Sequence, residues 1–175
     1  LFGANRLGST SLTELAVFGN RSGVAAARNA KNNKSKANNK IFDPYINEYT
    51  NLFGRNGSIS SISLKEMLQK ESWRKIGPVR TAKGIEDIEK IIKGIESKLI
   101  NVSIPNYSIW NQAFLDYVEL KNMLYSAKLI GLAAKERNGS IGGHVRLDEK
   151  KISAFSKPYS TVVSKNKNTY LIKRL

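Results

Sequence analysis

Two long runs of helical periodicity limit what this chain can fold into. From Thr81 to about Leu99, the residues Ala82, Ile85, Ile88, Ile91, Ile92, Ile95 and Leu99 recur every three or four positions, with Glu86, Asp87, Glu89, Lys90 and Lys93 on the other faces. Such a stripe buries one side of a helix and leaves the rest in water. The second run extends from about Ser108, past Pro105, to Glu136, with Trp110, Ala113, Phe114, Tyr117, Leu120, Met123, Leu124, Ala127, Ile130 and Ala134 on its inner side. Two shorter segments join them. Asp43-Pro44 supplies a cap and a first-turn proline ahead of Tyr45, Tyr49, Leu52 and Phe53, in a helix ending near Gly54. Ser63-Leu64-Lys65-Glu66 fits a capping box, with Leu64, Met67, Leu68 and Trp73 as the expected buried side and Gly77-Pro78 as the stop. The chain is therefore expected to be mainly α, with a bundle of three-helix type inside residues 43–148. Residues 149–175 form a tail in which Tyr159–Val163 and Thr169–Lys173 are β-branched and aromatic enough for a short hairpin.

Composition narrows the function. At 175 residues the chain is about one domain. It has no Cys, which removes disulfides, thiolate nucleophiles and Cys-ligated metal or cluster sites, and its single histidine, His144, makes a His-rich metal site impossible. No apolar run approaches the roughly 20 residues needed to cross a bilayer. Net charge is +15, which from composition alone favours polyanions and makes a basic helical nucleic-acid-binding module the alternative reading. The basic residues, however, are spread along the chain without a helix-turn-helix, zinc-finger or RNA-recognition signature. No nucleic-acid partner is expected.

The N-terminus carries the chemistry. Gly3-Ala4-Asn5-Arg6-Leu7-Gly8-Ser9-Thr10-Ser11-Leu12 runs straight into Thr13-Glu14-Leu15-Ala16-Val17-Phe18-Gly19. Ser11 to Glu14 fits a capping box, so a helix is expected from Ser11, and its unpaired N–H groups would favour an electron-rich or anionic ligand edge. Gly3 and Gly8 permit close backbone approach, and Arg6 between them offers a planar fork of donors suited to a carboxylate. The stripe Leu12, Leu15, Ala16, Phe18, Gly19, Gly23 and Ala26 is expected to pack as core. Beyond it, Arg28–Lys40 lacks apolar periodicity and reads as a mobile polar linker.

This N-terminal stretch resembles the GANRLGSNSL segment of the flavoprotein subunits of succinate dehydrogenase and fumarate reductase, differing by Thr10 in place of Asn. The resemblance continues at Glu119-Leu120-Lys121-Asn122-Met123-Leu124 with Ala127, similar to that family's EL.NM…A, and at Arg137–Asp148, similar to R.ESRGAH.R.D. In the last motif Gly139 replaces the acid and Ile141 the second arginine, whereas His144, Arg146 and Asp148 keep their spacing. Those two replacements leave the geometry of the loop open. His144 reads better as a loop residue held for structure than as a catalytic imidazole, since no nucleophile matches it.

The resemblance implies a C-terminal fragment of a larger α/β flavoprotein that uses FAD. Residues 1–29 would close its FAD-binding domain, 30–42 form a basic polar linker and 43–148 a C-terminal helical domain. The implied reaction interconverts succinate and fumarate, with electrons passed to an iron–sulfur subunit, then on to quinone at membrane anchor subunits. The implied roles are Arg6 at a substrate carboxylate and Asn5, Ser11 and Leu12 at the flavin. No catalytic or metal-binding residue is expected in this part. The chain has no GxGxxG turn and lacks the family's upstream capping domain, so alone it should be inactive. It would sit peripherally on the cytoplasmic side of the membrane, or in the cytoplasm. L-aspartate oxidase shares the motif and the helical tail and is the second alternative, but it commonly has Ala at the position of Gly8.

Overall fold

The computed structural model describes residues 10–33, 38–149, 159–166 and 169–174. They divide into two compact units, residues 1–48 and 49–175. Five α-helices, α1 (Thr10–Asn32), α2 (Asp43–Thr50), α3 (Ser61–Ile76), α4 (Ala82–Lys98) and α5 (Gln112–Glu136), are joined by short strands, β1 (Val79–Arg80), β2 (Val145–Arg146), β3 (Thr161–Asn166) and β4 (Thr169–Arg174). The fold is mainly α, as expected.

In the first unit α1 starts one residue before the predicted cap, so Ser11 lies inside the first turn. The helix also runs through Arg28–Asn32, the first part of the expected linker. Ala25, Ala26, Ala27 and Ala30 explain this, since alanine has the highest helix propensity and no glycine or proline interrupts the segment before Asn32. A 3-10 turn at Asn39–Ile41 takes up more of that linker, and residues 34–37 lie outside the described segments. The stripe expected to be core is not buried: Leu12 is 70% exposed, and Leu15 and Phe18 are exposed as well.

In the second unit α3, α4 and α5 form the bundle, closed by Leu64 and Leu68 from α3, Ile85, Ile88, Ile92 and Ile95 from α4, and Tyr117, Leu120, Leu124, Ala127 and Ala134 from α5. Val102 and Ile104, on the segment between α4 and α5, are fully enclosed with them. Backbone bridges Arg55↔Ile104 and Ile59↔Val102 fix that segment against the α2–α3 connection. Lys65 ties α3 to α5 by pairing with both Asp116 and Glu119.

Several boundaries differ from those expected. α2 ends at Thr50, and a turn carries the chain to Gly54. α3 starts at Ser61, not at a Ser63 box; Ser63 Oγ donates to the Ser60 carbonyl at 2.8 Å, closing the first turn from inside. Trp73 and Met67 are exposed because both lie off the Leu64/Leu68 face. α5 starts at Gln112, where the buried Asn111 accepts the Phe114 N–H at 3.0 Å. That cap excludes Trp110 from the helix and leaves it 94% exposed, and Ile130 is also exposed. α4 starts as predicted, Thr81 capping the Gly84 N–H at 3.0 Å.

The hairpin forms as expected, β3 pairing antiparallel with β4 from Thr161↔Arg174 to Asn166↔Thr169. Ser164–Asn166, expected to separate the strands, belong to β3. No pattern in the sequence points to the parallel pairing of β1 with β2, Val79↔Val145 and Arg80↔Arg146.

Candidate functional site

Two places concern function. At the N-terminus, Asn5 and Arg6 lie outside the described residues, as do Gly3 and Gly8. Ser11 is half-buried in the first turn of α1 and Leu12 faces outward. The first turn contains no acid, and its N–H groups have no helical acceptors. That donor set fits the electron-rich edge of a flavin, which a first-turn carboxylate would repel.

The second place is built from the loop after α5. Arg137 ends the helix, and Gly139 follows at φ +78°, a left-handed conformation that glycine adopts without steric cost. Gly142 has φ +56° and Gly143 does not share the positive value, the pattern of a two-residue II′ turn. Ile141 and His144 close it with paired backbone bonds of 2.9 and 3.0 Å. Ser140 Oγ then accepts the Arg146 N–H at 2.8 Å and donates to the Arg146 carbonyl at 3.3 Å. The chain next enters β2, where the Val145 and Leu147 N–H groups reach the Pro78 and Arg80 carbonyls.

These turns gather three guanidinium groups around one imidazole. His144 is buried, 8% exposed, with Nε2 3.1 Å from the Arg137 carbonyl and Nδ1 2.5 Å from Arg80 Nη1. A carbonyl only accepts and a guanidinium only donates, so the ring is the neutral Nε2–H tautomer. Burial pushes its pKa below the ordinary histidine value, and the charges of Arg80, Arg146 and Arg137 push it the same way, against the Arg137 carbonyl bond. Arg80 Nε donates to the Ile76 and Gly77 carbonyls at 3.1 and 2.6 Å, closing the C-terminal end of α3. Desolvation lowers the Arg80 pKa.

Arg146, 5% exposed, forms a two-pronged pair with Asp148, Nε to Oδ1 at 2.9 Å and Nη2 to Oδ2 at 3.1 Å. Asp148 Oδ2 also accepts the Ala82 N–H at 2.5 Å, in the first turn of α4. The Arg146 bond, then the Ala82 N–H, hold its carboxyl far below the usual range. Arg137 Nη2 donates to the Tyr159 carbonyl at 2.7 Å with its guanidinium 4.4 Å from the Tyr159 ring centroid, and Arg174 pairs with Glu136 on the same side. One cluster thus links α3, α4, α5, β1, β2 and the segment leading into the hairpin.

The contacts of the cluster are structural: both nitrogens of His144 are engaged, and Arg146 is taken up by Asp148, Glu149 and the Arg137 carbonyl. Sequence reasoning singles out Arg137, His144, Arg146 and Asp148 by motif spacing but misses Arg80. The available signal is an arginine two residues past Gly77-Pro78, at a helix end whose carbonyls need a donor. Among the described residues no group of three or more His, Cys, Asp or Glu could hold a metal ion, and no helix is long and apolar enough to cross a membrane.

The family model described as fumarate reductase flavoprotein C-term matches residues 65–172. A fumarate reductase (CoM/CoB) polypeptide of Methanothermobacter marburgensis is 31% identical over 146 residues, covering 83% of this chain and 26% of that protein. The succinate dehydrogenase flavoprotein subunit of Rickettsia conorii is 31% identical over 149 residues, again 83% of this chain and 25% of the relative. The chain thus spans about a quarter of the length of these relatives. Among solved structures, the Mycobacterium smegmatis Sdh1 complex in the apo form superposes with a TM-score of 0.82 at 23% identity, over 98% of this chain and 30% of that one. A quinol-fumarate reductase with menaquinol molecules gives 0.82 at 24% identity, over 97% of this chain and 31% of the other. These two likenesses establish a shared fold. With the family match covering most of the chain, including Arg80, Arg137, His144, Arg146 and Asp148, the chain belongs to the succinate dehydrogenase and fumarate reductase flavoprotein family.

Proposed function

We propose that this chain is the C-terminal part of an FAD-dependent flavoprotein subunit that interconverts succinate and fumarate. The observation that carries the reading is the alignment with the Methanothermobacter fumarate reductase along 83% of the chain. When bound, FAD supplies hydride transfer to or from the carbon–carbon bond. The remaining work belongs to the chain. Arg6 holds one carboxylate of the dicarboxylate and turns the reacting bond toward the flavin, while Asn5, Ser11 and the first turn of α1 with Leu12 line the isoalloxazine edge. In this reading residues 1–29 close the FAD-binding domain, residues 43–148 form the helical domain and residues 149–175 the tail. Electrons leave to an iron–sulfur subunit, then to quinone at membrane anchors, so the protein lies peripherally on the cytoplasmic face of the membrane.

Arg6→Ala in the complete flavoprotein polypeptide tests this. The variant is expected to keep its flavin, read by absorbance, and to lose most succinate oxidation with a soluble dye acceptor. Undiminished oxidation would reject the role of Arg6.

A further inference from the structure

Asparagine followed by glycine is among the most self-reactive pairs in a polypeptide. The glycine nitrogen, once it gives up its proton, attacks the asparagine Cγ and ammonia leaves. Water then opens the succinimide to aspartate or isoaspartate, so the overall change consumes water and releases ammonia, with no oxidant or reductant. Glycine favours the step because it has no Cβ to hinder the approach and its backbone turns freely. This sequence contains two such pairs, Asn56-Gly57 and Asn138-Gly139.

Both asparagines are exposed, and among the described residues neither side chain, nor the N–H that follows it, is hydrogen-bonded. What differs is how each glycine is held. Gly57 is wedged, since a Cβ there would lie 2.1 Å from the Asn101 carbonyl oxygen and 2.6 Å from the Val102 carbonyl carbon. The bridges Arg55↔Ile104 and Ile59↔Val102 pin the chain on either side of it. The attack requires the peptide plane between Asn56 and Gly57 to turn, and turning it would drive this backbone into residues 101–102.

Asn138-Gly139 is instead a link between two anchors. On one side the Arg137 carbonyl is held by His144 Nε2, and on the other Ser140 Oγ accepts the Arg146 N–H. Gly139 is buried, but Asn138, which must admit water, is not. Gly139 sits at φ +78°, from which a glycine moves to neighbouring backbone conformations without the steric barrier that confines other residues. Asn138 lines a hollow with Lys135 and Arg146, and with Glu86 and Glu149. Arg146 is committed to Asp148 and Glu149, whereas Lys135 comes only within 3.9 Å of Glu89. The Lys135 ammonium is therefore the cation left to pair with a new carboxylate at position 138.

We propose that Asn138 is a self-modifying site, deamidated in the folded protein by the Gly139 nitrogen, while the wedge of Gly57 protects Asn56. The isoaspartate product adds a backbone methylene between anchors set for the shorter chain and so loosens the contact of His144 with Arg137. The proposal stands apart from the flavoprotein reading, because it uses this loop alone.

The test incubates the complete polypeptide, with its flavin, in mildly alkaline buffer and follows both sites by peptide mapping and isoaspartyl methyltransferase labelling. Asn138 should convert faster than Asn56 by roughly tenfold or more, a barrier difference of at least about 1.4 kcal/mol. In denaturant the two rates should converge. Asn138→Gln should remove the main isoaspartyl signal, and after incubation it should unfold at a higher temperature than incubated wild type. Equal native rates or faster conversion of Asn56 would overturn the proposal. So would an Asn138 that stays intact in the native protein, which would mean that the rest of the polypeptide covers or fixes the loop. A preference for Asn138 that persists unchanged in denaturant would overturn it as well, since flanking sequence and not the fold would then set the rates. Equal midpoints of the two incubated proteins would overturn the loosening of the cluster.

Discussion

His144 is kept neutral by what faces it: the Arg80 guanidinium at Nδ1, the Arg137 carbonyl at Nε2, and the charges of Arg137 and Arg146 nearby. Protonation would set two donors against each other at Nδ1. The folded state therefore binds this proton more weakly than the unfolded chain, whose histidine titrates near about 6.5. The contribution to stability is complete above that pH and is lost as pH falls through it toward the lower folded value. Thermal midpoints of the complete protein should decline on acidification below about pH 6.5, and His144→Gln, which keeps one donor and one acceptor, should flatten that slope. An identical slope in the variant would show that other groups set it. Gly139 gives a second residue-scale outcome. Its φ of +78° means that restoring the family's acid by Gly139→Glu should cost about 1 kcal/mol, seen as a lower denaturant midpoint, because any Cβ is crowded in that region. At this scale the cluster is legible in part. Motif spacing marks Arg137, His144, Arg146 and Asp148, but Arg80 joins them through a two-residue parallel pairing between segments far apart in sequence, and no local pattern encodes that.

The elements depend on caps more than their apolar stripes suggest. Thr81 supplies the side-chain acceptor bonded to the Gly84 N–H at the start of α4, so Thr81→Ala should destabilise the bundle by about 1 kcal/mol and Thr81→Ser by much less. Asn111 does more, with two carbonyls and one N–H satisfied from a buried site. Asn111→Ala should cost about 2 kcal/mol in equilibrium unfolding, and Asn111→Asp more, since a carboxylate would face the Pro105 and Tyr107 carbonyls. Equal stability of the alanine variant would contradict the pinning of residues 105–111. α4 is readable to within a residue at its ends because stripe and cap agree: Ile85, Ile88, Ile92 and Ile95 are buried and Thr81 caps, although Ala82 is exposed and Ile91 only half-buried. Around Trp110 and Ser63 the two signals compete. Apolar periodicity continues past the true start of α5, and a box-like spacing sits inside α3, so the boundaries are set by hydrogen bonds the sequence does not display. The exposed stripe of α1 reads as core because periodicity identifies an apolar face without saying what covers it.

Within the unit of residues 49–175, burial grades stability. Core side chains come from α3, α4, α5, the Val102–Ile104 segment and Leu52 in the turn after α2, whereas among the described side chains neither β3 nor β4 contributes a buried one. The hairpin is held by surface links: Arg174 to Glu136 at 2.8 Å, Arg174 and Arg137 against the Tyr159 ring, and Tyr170 edge-on to Tyr125. Exposed ion pairs contribute little and weaken with salt, while apolar burial does not. The hairpin should therefore open in local fluctuations that leave the bundle intact. Hydrogen exchange followed by mass spectrometry should find the slowest amides in Ile85–Ile95 and Tyr117–Ala127 and faster exchange in Thr161–Asn166 and Thr169–Arg174. Raising salt should widen the difference by accelerating the hairpin alone. If both exchanged together at every salt concentration, the hairpin would belong to the same cooperative unit as the core, and the part-buried Arg137–Tyr159 bond and the exposed Arg174–Glu136 pair would have to carry far more energy than contacts of their kind.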